Sequence, residues 1–166
     1  LVLVAAAFVA GVEAKLEAAR DAHPEFEGAQ AVMATVYGDL LSVYAPHDSR
    51  GRFLESLGFV PPGDLAELAG DNFSADVSIE RIDLIDGDAV VWLINDVDTD
   101  VPQFEAHPLY SRLDVHTEGR DIFLEMNEPV GSATSFVTVL SLPTLIDGLV
   151  PQLADAVADA VAGDGG

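Results

Sequence analysis

Two aspartates and a histidine crowd one short segment of the sequence: Asp114, His116 and Asp121. A carboxylate hydrogen-bonded to an imidazole fixes its tautomer and makes the far ring nitrogen more basic. That chemistry suits a general base in a hydrolytic or small-molecule-binding enzyme, or a metal ligand. On an exposed strand face the same residues would form a surface ion pair worth less than about 1 kcal/mol. Both readings stay open on these residues alone.

A second candidate lies in residues 95–102, where Asp96, Asp98 and Asp100 alternate as the first three ligands of a calcium loop do. Val101 stands where the turn glycine belongs, and His107 stands at the position of the bidentate glutamate. The match is therefore only a weak candidate for a calcium loop, and no metal or cofactor is expected. The histidines His23, His47, His107 and His116 form neither H-x-x-x-H nor H-E-x-x-H, and no G-x-S-x-G, Walker loop or G-x-G-x-x-G occurs. Cysteine is absent, which removes thiolate nucleophiles, disulfides and cysteine-based metal sites. A cleft gathering His47, His107 and His116 would favour an enzyme.

Chemistry on residues 112–126 depends on what holds them. With Glu118 and Gly119 at a turn, Val115 faces Ile122 and Leu113 faces Leu124. On the other side His116 faces Asp121 and Arg112 faces Glu125. Apolar pairs on one face and opposite charges on the other are the pattern of a half-buried antiparallel hairpin. Residues 77–85 and 88–94 flank Asp86 and Gly87, a second hairpin signal. Residues 89–94 are apolar at every position, as in a central strand covered on both faces. Apolar parity slips between Ile79 and Ile82, which predicts a bulge near Glu80 and Arg81. Residues 135–142 read as a fifth strand.

Helices are expected on both sides of this region in the chain. Residues 1–22 form an apolar N-terminal helix. In residues 25–44, Phe26, Ala29, Met33, Val36, Tyr37, Leu40, Leu41 and Tyr44 recur at helical spacing. Asp48 or Ser49 caps a short helix carrying Phe53, Leu54 and Leu57, and residues 64–69 add another turn or two. A C-terminal helix begins at Pro143, and Pro151 kinks or divides it. The fold expected is α+β: an antiparallel sheet of four to five strands, with the N-terminal helices and the C-terminal helix packed mainly on one face. Residues 1–166 form a single domain, with 163–166 as a disordered tail. The stretch from Ala45 to Leu57 also resembles, over 13 residues and with one extra residue, the turn motif of phage tail-completion proteins. That family's small C-terminal pattern is not evident here, and no function is drawn from the resemblance.

Charge narrows the functional classes. The chain carries 29 acidic residues against seven basic ones, for a net charge of −22, with Lys15 as its one lysine. The arginines are scattered, so nucleic acid is not an expected partner. Dispersed acidity with almost no lysine is the surface of proteins from salt-loving archaea. The apolar residues 1–12 are too short to span a bilayer but offer a contact for a protein partner, for self-association or for a membrane surface. The reading is a non-catalytic binding or assembly domain of a halophilic, archaeal organism, cytoplasmic or envelope-associated. The alternative is the enzyme using His116 with Asp114 and Asp121.

Overall fold

Five strands form one sheet: β1 (Ala31–Tyr37), β2 (Leu40–Tyr44), β3 (Ser74–Ser78), β4 (Ala89–Ile94) and β5 (Asp121–Glu125). Their order is β3-β2-β1-β4-β5. The computed structural model describes residues 2–163 of the chain. β1 with β2 and β2 with β3 are antiparallel, whereas β1 with β4 and β4 with β5 are parallel. The sheet is thus mixed, which corrects the expectation of an antiparallel one. The central placement of β4 holds, since every residue in it is buried. Parallel neighbours on both sides and helices on both faces account for its unbroken apolar run.

Four expected elements are replaced. Residues 31–44 form a hairpin instead of a helix. β1 and most of β2 are buried on both faces, so the two-residue period is erased and helical spacing appears by coincidence. The β-branched Val32, Thr35, Val36 and Val43 favour extended backbone. Gly38, at φ +61°, supplies the positive φ that a two-residue turn needs.

Residues Ile79–Ile85 are 3-10 turns instead of a strand, started by Ser78, whose side chain accepts from the Glu80 N–H. The apparent parity slip is the three-residue period of that helix, which packs Ile79, Ile82 and Ile85 against one core. Asp86 and Gly87 therefore close no hairpin.

In residues 112–126 only β5 is a strand, and Val91 of β4, not Val115, pairs with Ile122. Tyr110–Arg112 is a 3-10 turn and Asp114–Thr117 a short helix. The Asp86 carboxylate accepts from the Asp114 and Val115 N–H groups at 3.3 and 2.9 Å, so a distant loop holds that helix start. Residues 135–142 are not a strand either. Helix Pro129–Ser135 ends there, and a loop follows with Phe136 and Leu140 78% and 80% exposed.

The helices are α1 (Val2–Ala22), α2 (Ser49–Leu57), α3 (Leu65–Ala69), α4 (Val97–Ala106), α5 (Asp114–Thr117), α6 (Pro129–Ser135) and α7 (Leu142–Gly163). The helices from the two ends of the chain, α1, α2 and α7, share one face as expected, but α3, α4 and α5 cover the other. On one face α1, α2, α6 and α7 bury Phe53, Leu57, Leu145, Leu149 and Leu153 against Met33, Val91 and Leu93. On the other, α3, α4, α5 and the 3-10 turns enclose Val32, Ala34, Val90, Trp92 and Tyr110.

Asp48 caps α2 as expected, accepting from the Arg50 N–H at 3.0 Å. Gly51 in this helix has no room for a side chain, because a Cβ would lie 2.3 Å from the Ala45 carbonyl oxygen. α7 runs through Pro151 undivided.

α1 docks on α2 and α7, with Lys15 on Asp147 at 2.6 Å. Within its apolar first half Val12 is buried, while Phe8 and Val9 are 43% and 38% exposed. Leu1, the side chain of Leu3 and residues 164–166 lie outside the described residues; Gly163, expected to begin a disordered tail at 163–166, is the last residue of α7. Among the described residues no helix is long and apolar enough to cross a membrane.

Candidate functional site

β1 and β4 run side by side in the same direction, yet the chain leaves them in opposite directions. After β1 it turns through Gly38 and Asp39 into β2; after β4 it passes through α4 to β5 on the far side. Diverging connections leave a crevice at the carboxyl ends of such strands, where open α/β sheets place their ligands. A cleft of about 260 Å³ lies there. Thr35, Val36 and Ile94 come from the strand ends, and Ile79 and Ile82 from the 3-10 turns. Asn95, Asp100, Phe104, His107 and Tyr110 come from α4 and its flanks.

The start of α4 is built from carboxylates. Asp96 caps the helix, accepting from the Thr99 N–H at 2.9 Å. Asp100 accepts from the Asn95 and Asp96 N–H groups at 2.9 and 3.3 Å. Glu125, at the end of β5, accepts from the Val97 N–H at 2.8 Å. The alternating aspartates therefore begin a helix, with Asp96 as its cap and Asp98 and Asp100 in its first turn. Among the described residues no group of three His, Asp or Glu side chains is placed to hold a metal ion.

Behind the cleft sits a buried polar chain. The Trp92 indole donates to the Tyr110 phenol oxygen at 3.2 Å, and the phenol donates to Asp121. The His116 Nδ1 lies 2.6 Å from the same Asp121 oxygen. Burial, reinforced by the Asp121 carboxylate, pushes the Tyr110 phenol far above its ordinary range, so it is a hydrogen-bond donor at any ordinary pH. Phe104 packs against Trp92 and Tyr110, with ring centroids 4.6 and 5.4 Å away. The cleft wall is therefore an aromatic cluster anchored from behind.

Of the three residues expected to act together, the structure brings two into contact, His116 and Asp121. They meet because α5 folds back on the start of β5, not across a hairpin. The Asp114 side chain is exposed, and its backbone N–H points to Asp86. His107 lines the cleft, and neither His47 nor His116 does. Tyr110, Phe104, Thr35 and Asn95 escaped the sequence reading. The one signal for Asn95 was a wholly apolar strand ending abruptly on polar residues before a capped helix.

No family model matches the chain, and no curated protein matches it by sequence. Solved structures do match in fold. A periplasmic solute binding protein from Mycobacterium smegmatis superposes with a TM-score of 0.74 at 22% identity, over 92% of this chain and 50% of its own. PiaA of Streptococcus pneumoniae, solved in complex with ferrichrome, gives 0.76 at 21%, over 92% and 52%. FhuD2 from Staphylococcus aureus with bound ferrioxamine B gives 0.69 at 16%, over 88% and 56%. The chain spans about half the length of these structures. At such identities the likeness is one of fold: a mixed five-stranded sheet with helices on both faces, resembling about half of an FhuD-like binding protein.

Proposed function

We propose that this chain is a non-catalytic solute-binding module whose ligand sits in the cleft at the carboxyl ends of β1 and β4. The observation that carries the reading is the coincidence of the cleft with the point where the strand connections diverge. The fold neighbours bound to ferrichrome and ferrioxamine B support a siderophore or a similar compact organic solute. An importer that receives the solute is then the natural protein partner, in keeping with an envelope location. The acidic surface supports a salt-loving, archaeal source, and the exposed Phe8 and Val9 support an N-terminal contact with a partner or membrane surface.

Trp92 is the single tryptophan and packs on Phe104, so its fluorescence reports the cleft. Titration with ferrichrome and with ferrioxamine B in concentrated potassium chloride is expected to change the emission saturably. Phe104→Ala and Asn95→Ala should weaken that response. No response to either compound, or equal affinities in both variants, would remove the reading. The salt-adapted origin is tested separately by thermal melts. The midpoint should rise from about 0.1 M to multimolar potassium chloride as carboxylate repulsion is screened, and equal midpoints argue against it.

A second reading, an enzyme working through His116, rests on its 2.6 Å contact with Asp121. Against it, Tyr110 stands between Asp121 and the cleft, and neither His116 nor Asp121 lines it. We assign the pair to holding the aromatic wall. Ester or amide hydrolysis that disappears in His116→Ala would reverse that assignment.

A further inference from the structure

We propose that the cleft selects a positively charged solute and rejects anionic ones, an inference that rests on the binding reading above. A helix that starts at the carboxyl end of a parallel strand presents free N–H groups and the positive end of its dipole, which together make an anion site. α4 is such a helix, ten residues long and opening directly into the cleft. Its anion site is already filled by the protein. The Asn95, Asp96, Val97 and Thr99 N–H groups are taken by the side chains of Asp100, Glu125 and Asp96, and the Asp100 N–H bonds the Asp96 carbonyl. A phosphate or carboxylate approaching the start of α4 finds all but the Asp98 N–H already taken, and it meets the carboxylates that took them, Asp100 in the cleft lining with Asp96 and Glu125 close behind.

The rest of the lining points the same way. Asp39 at the β1–β2 turn and Asp100 at the start of α4 both line the cleft, and among the described residues no lysine or arginine does. One Asp100 oxygen carries both backbone bonds, which leaves its other oxygen to accept from a ligand. The Asp39 side chain makes no hydrogen bond among the described residues, its backbone oxygen alone accepting from Ile79. Phe104 supplies an aromatic ring, to which a cation is attracted and an anion is not. A ligand with an ammonium group and a largely neutral body fits this arrangement.

Ferrioxamine B carries a free primary amine, so one body can be compared in three charge states. The native compound has the cationic amine, its N-acetyl derivative is uncharged there, and its N-succinyl derivative is anionic. Tryptophan fluorescence titration of the whole chain is expected to rank them cation, neutral, anion, with about tenfold between the first two. In Asp39→Asn/Asp100→Asn the three affinities should converge. Because Asp100 also caps α4, Asp39→Asn alone serves as the second variant and should reduce the preference in a chain with unchanged circular dichroism. Equal affinities in the native chain, or a preference that both variants retain, would overturn the charge inference while leaving the binding reading intact. Failure of all three compounds to bind would remove both.

Discussion

The two faces of the sheet are held by different physics. On one, α1 and α7, 21 and 22 residues long, lie with α2 and α6 over a continuous apolar core. On the other, α4 has ten residues, but α3 has five and α5 four, joined by 3-10 turns. Long helices are stabilised chiefly by the stripe they bury. Pieces this short bury too little and depend on specific bonds instead. Asp86 holds the start of α5, Ser78 caps the 3-10 turns, and Asp121 anchors Tyr110. The difference teaches where a site can form. Backbone groups and polar side chains are available on the bonded face, and the cleft opens there.

The largest effect expected is on the buried face. Leu149→Ala removes a fully buried side chain between α7 and the sheet and should cost about 2–5 kcal/mol in chemical denaturation. A loss under about 1 kcal/mol would mean that this face does not carry the fold. On the bonded face Asp121→Asn should cost less, about 1–3 kcal/mol, by weakening the bonds to Tyr110 and His116. It should also loosen the aromatic wall, seen as a change in Trp92 emission that Leu149→Ala does not produce before unfolding.

Alkaline pH separates the faces further. The folded Tyr110 phenol titrates far above the unfolded value of about 10, with burial as the main cause and Asp121 next. Its contribution is therefore fully present below that value and is lost as pH rises past it, because the unfolded chain sheds the proton first. The slope is at most about 1.4 kcal/mol per pH unit. Tyr44, beside the other core, is also raised by burial, though the nearby Arg50 opposes the shift. Tyr110→Phe should accordingly flatten the stability profile above pH about 10 without abolishing its slope. Identical profiles would show that Tyr110 is not held as described.

The matched helix caps sharpen the comparison at smaller scale. Asp48→Ala on α2 and Asp96→Ala on α4 should each cost about 1 kcal/mol. Only the second should alter ligand affinity, and equal effects on binding would break the distinction. Smallest of all, Lys15→Met opens an exposed ion pair with Asp147 and should change stability by less than about 1 kcal/mol.

Legibility in the sequence followed the same division. α2 and α7 were readable because Phe53, Leu54 and Leu57, and Leu145, Leu149 and Leu153, repeat on one stripe of a helix. β4 was readable as central because it has no polar residue. The bonded face was misread because its determinants are distant in sequence. Nothing local to Asp114 and Val115 reveals that Asp86 will hold them as a helix start. Residues 79–85 read as part of a strand because Ile79, Ile82 and Ile85 follow a period of three, which resembles a strand with a fault. β1 and β2 show no alternation because residues 31–35 and 41–43 are all buried, which leaves exposed side chains only beside the turn. The candidate site was half legible for the same reason. His116 and Asp121 stood out by type, but the cleft is assembled from the ends of strands whose direction was not visible.

The placement of β1 has a consequence for how the chain acquires its structure. β1, β2 and β3 pair as neighbours in sequence, whereas the parallel partner of β1 is β4, so Ala34 must wait for Trp92. Loop closure makes such distant pairing slow relative to hairpins. Until β4 arrives, β1 is an open edge of seven residues without a charge. Edges of this kind template aggregation. Residues 1–88 already carry 16 acidic residues against five basic ones, and this excess should keep nascent copies apart while that edge is unprotected. A fragment ending before Ala89 should scatter light increasingly as salt screens this repulsion, under the same conditions in which residues 1–166 are expected to gain stability.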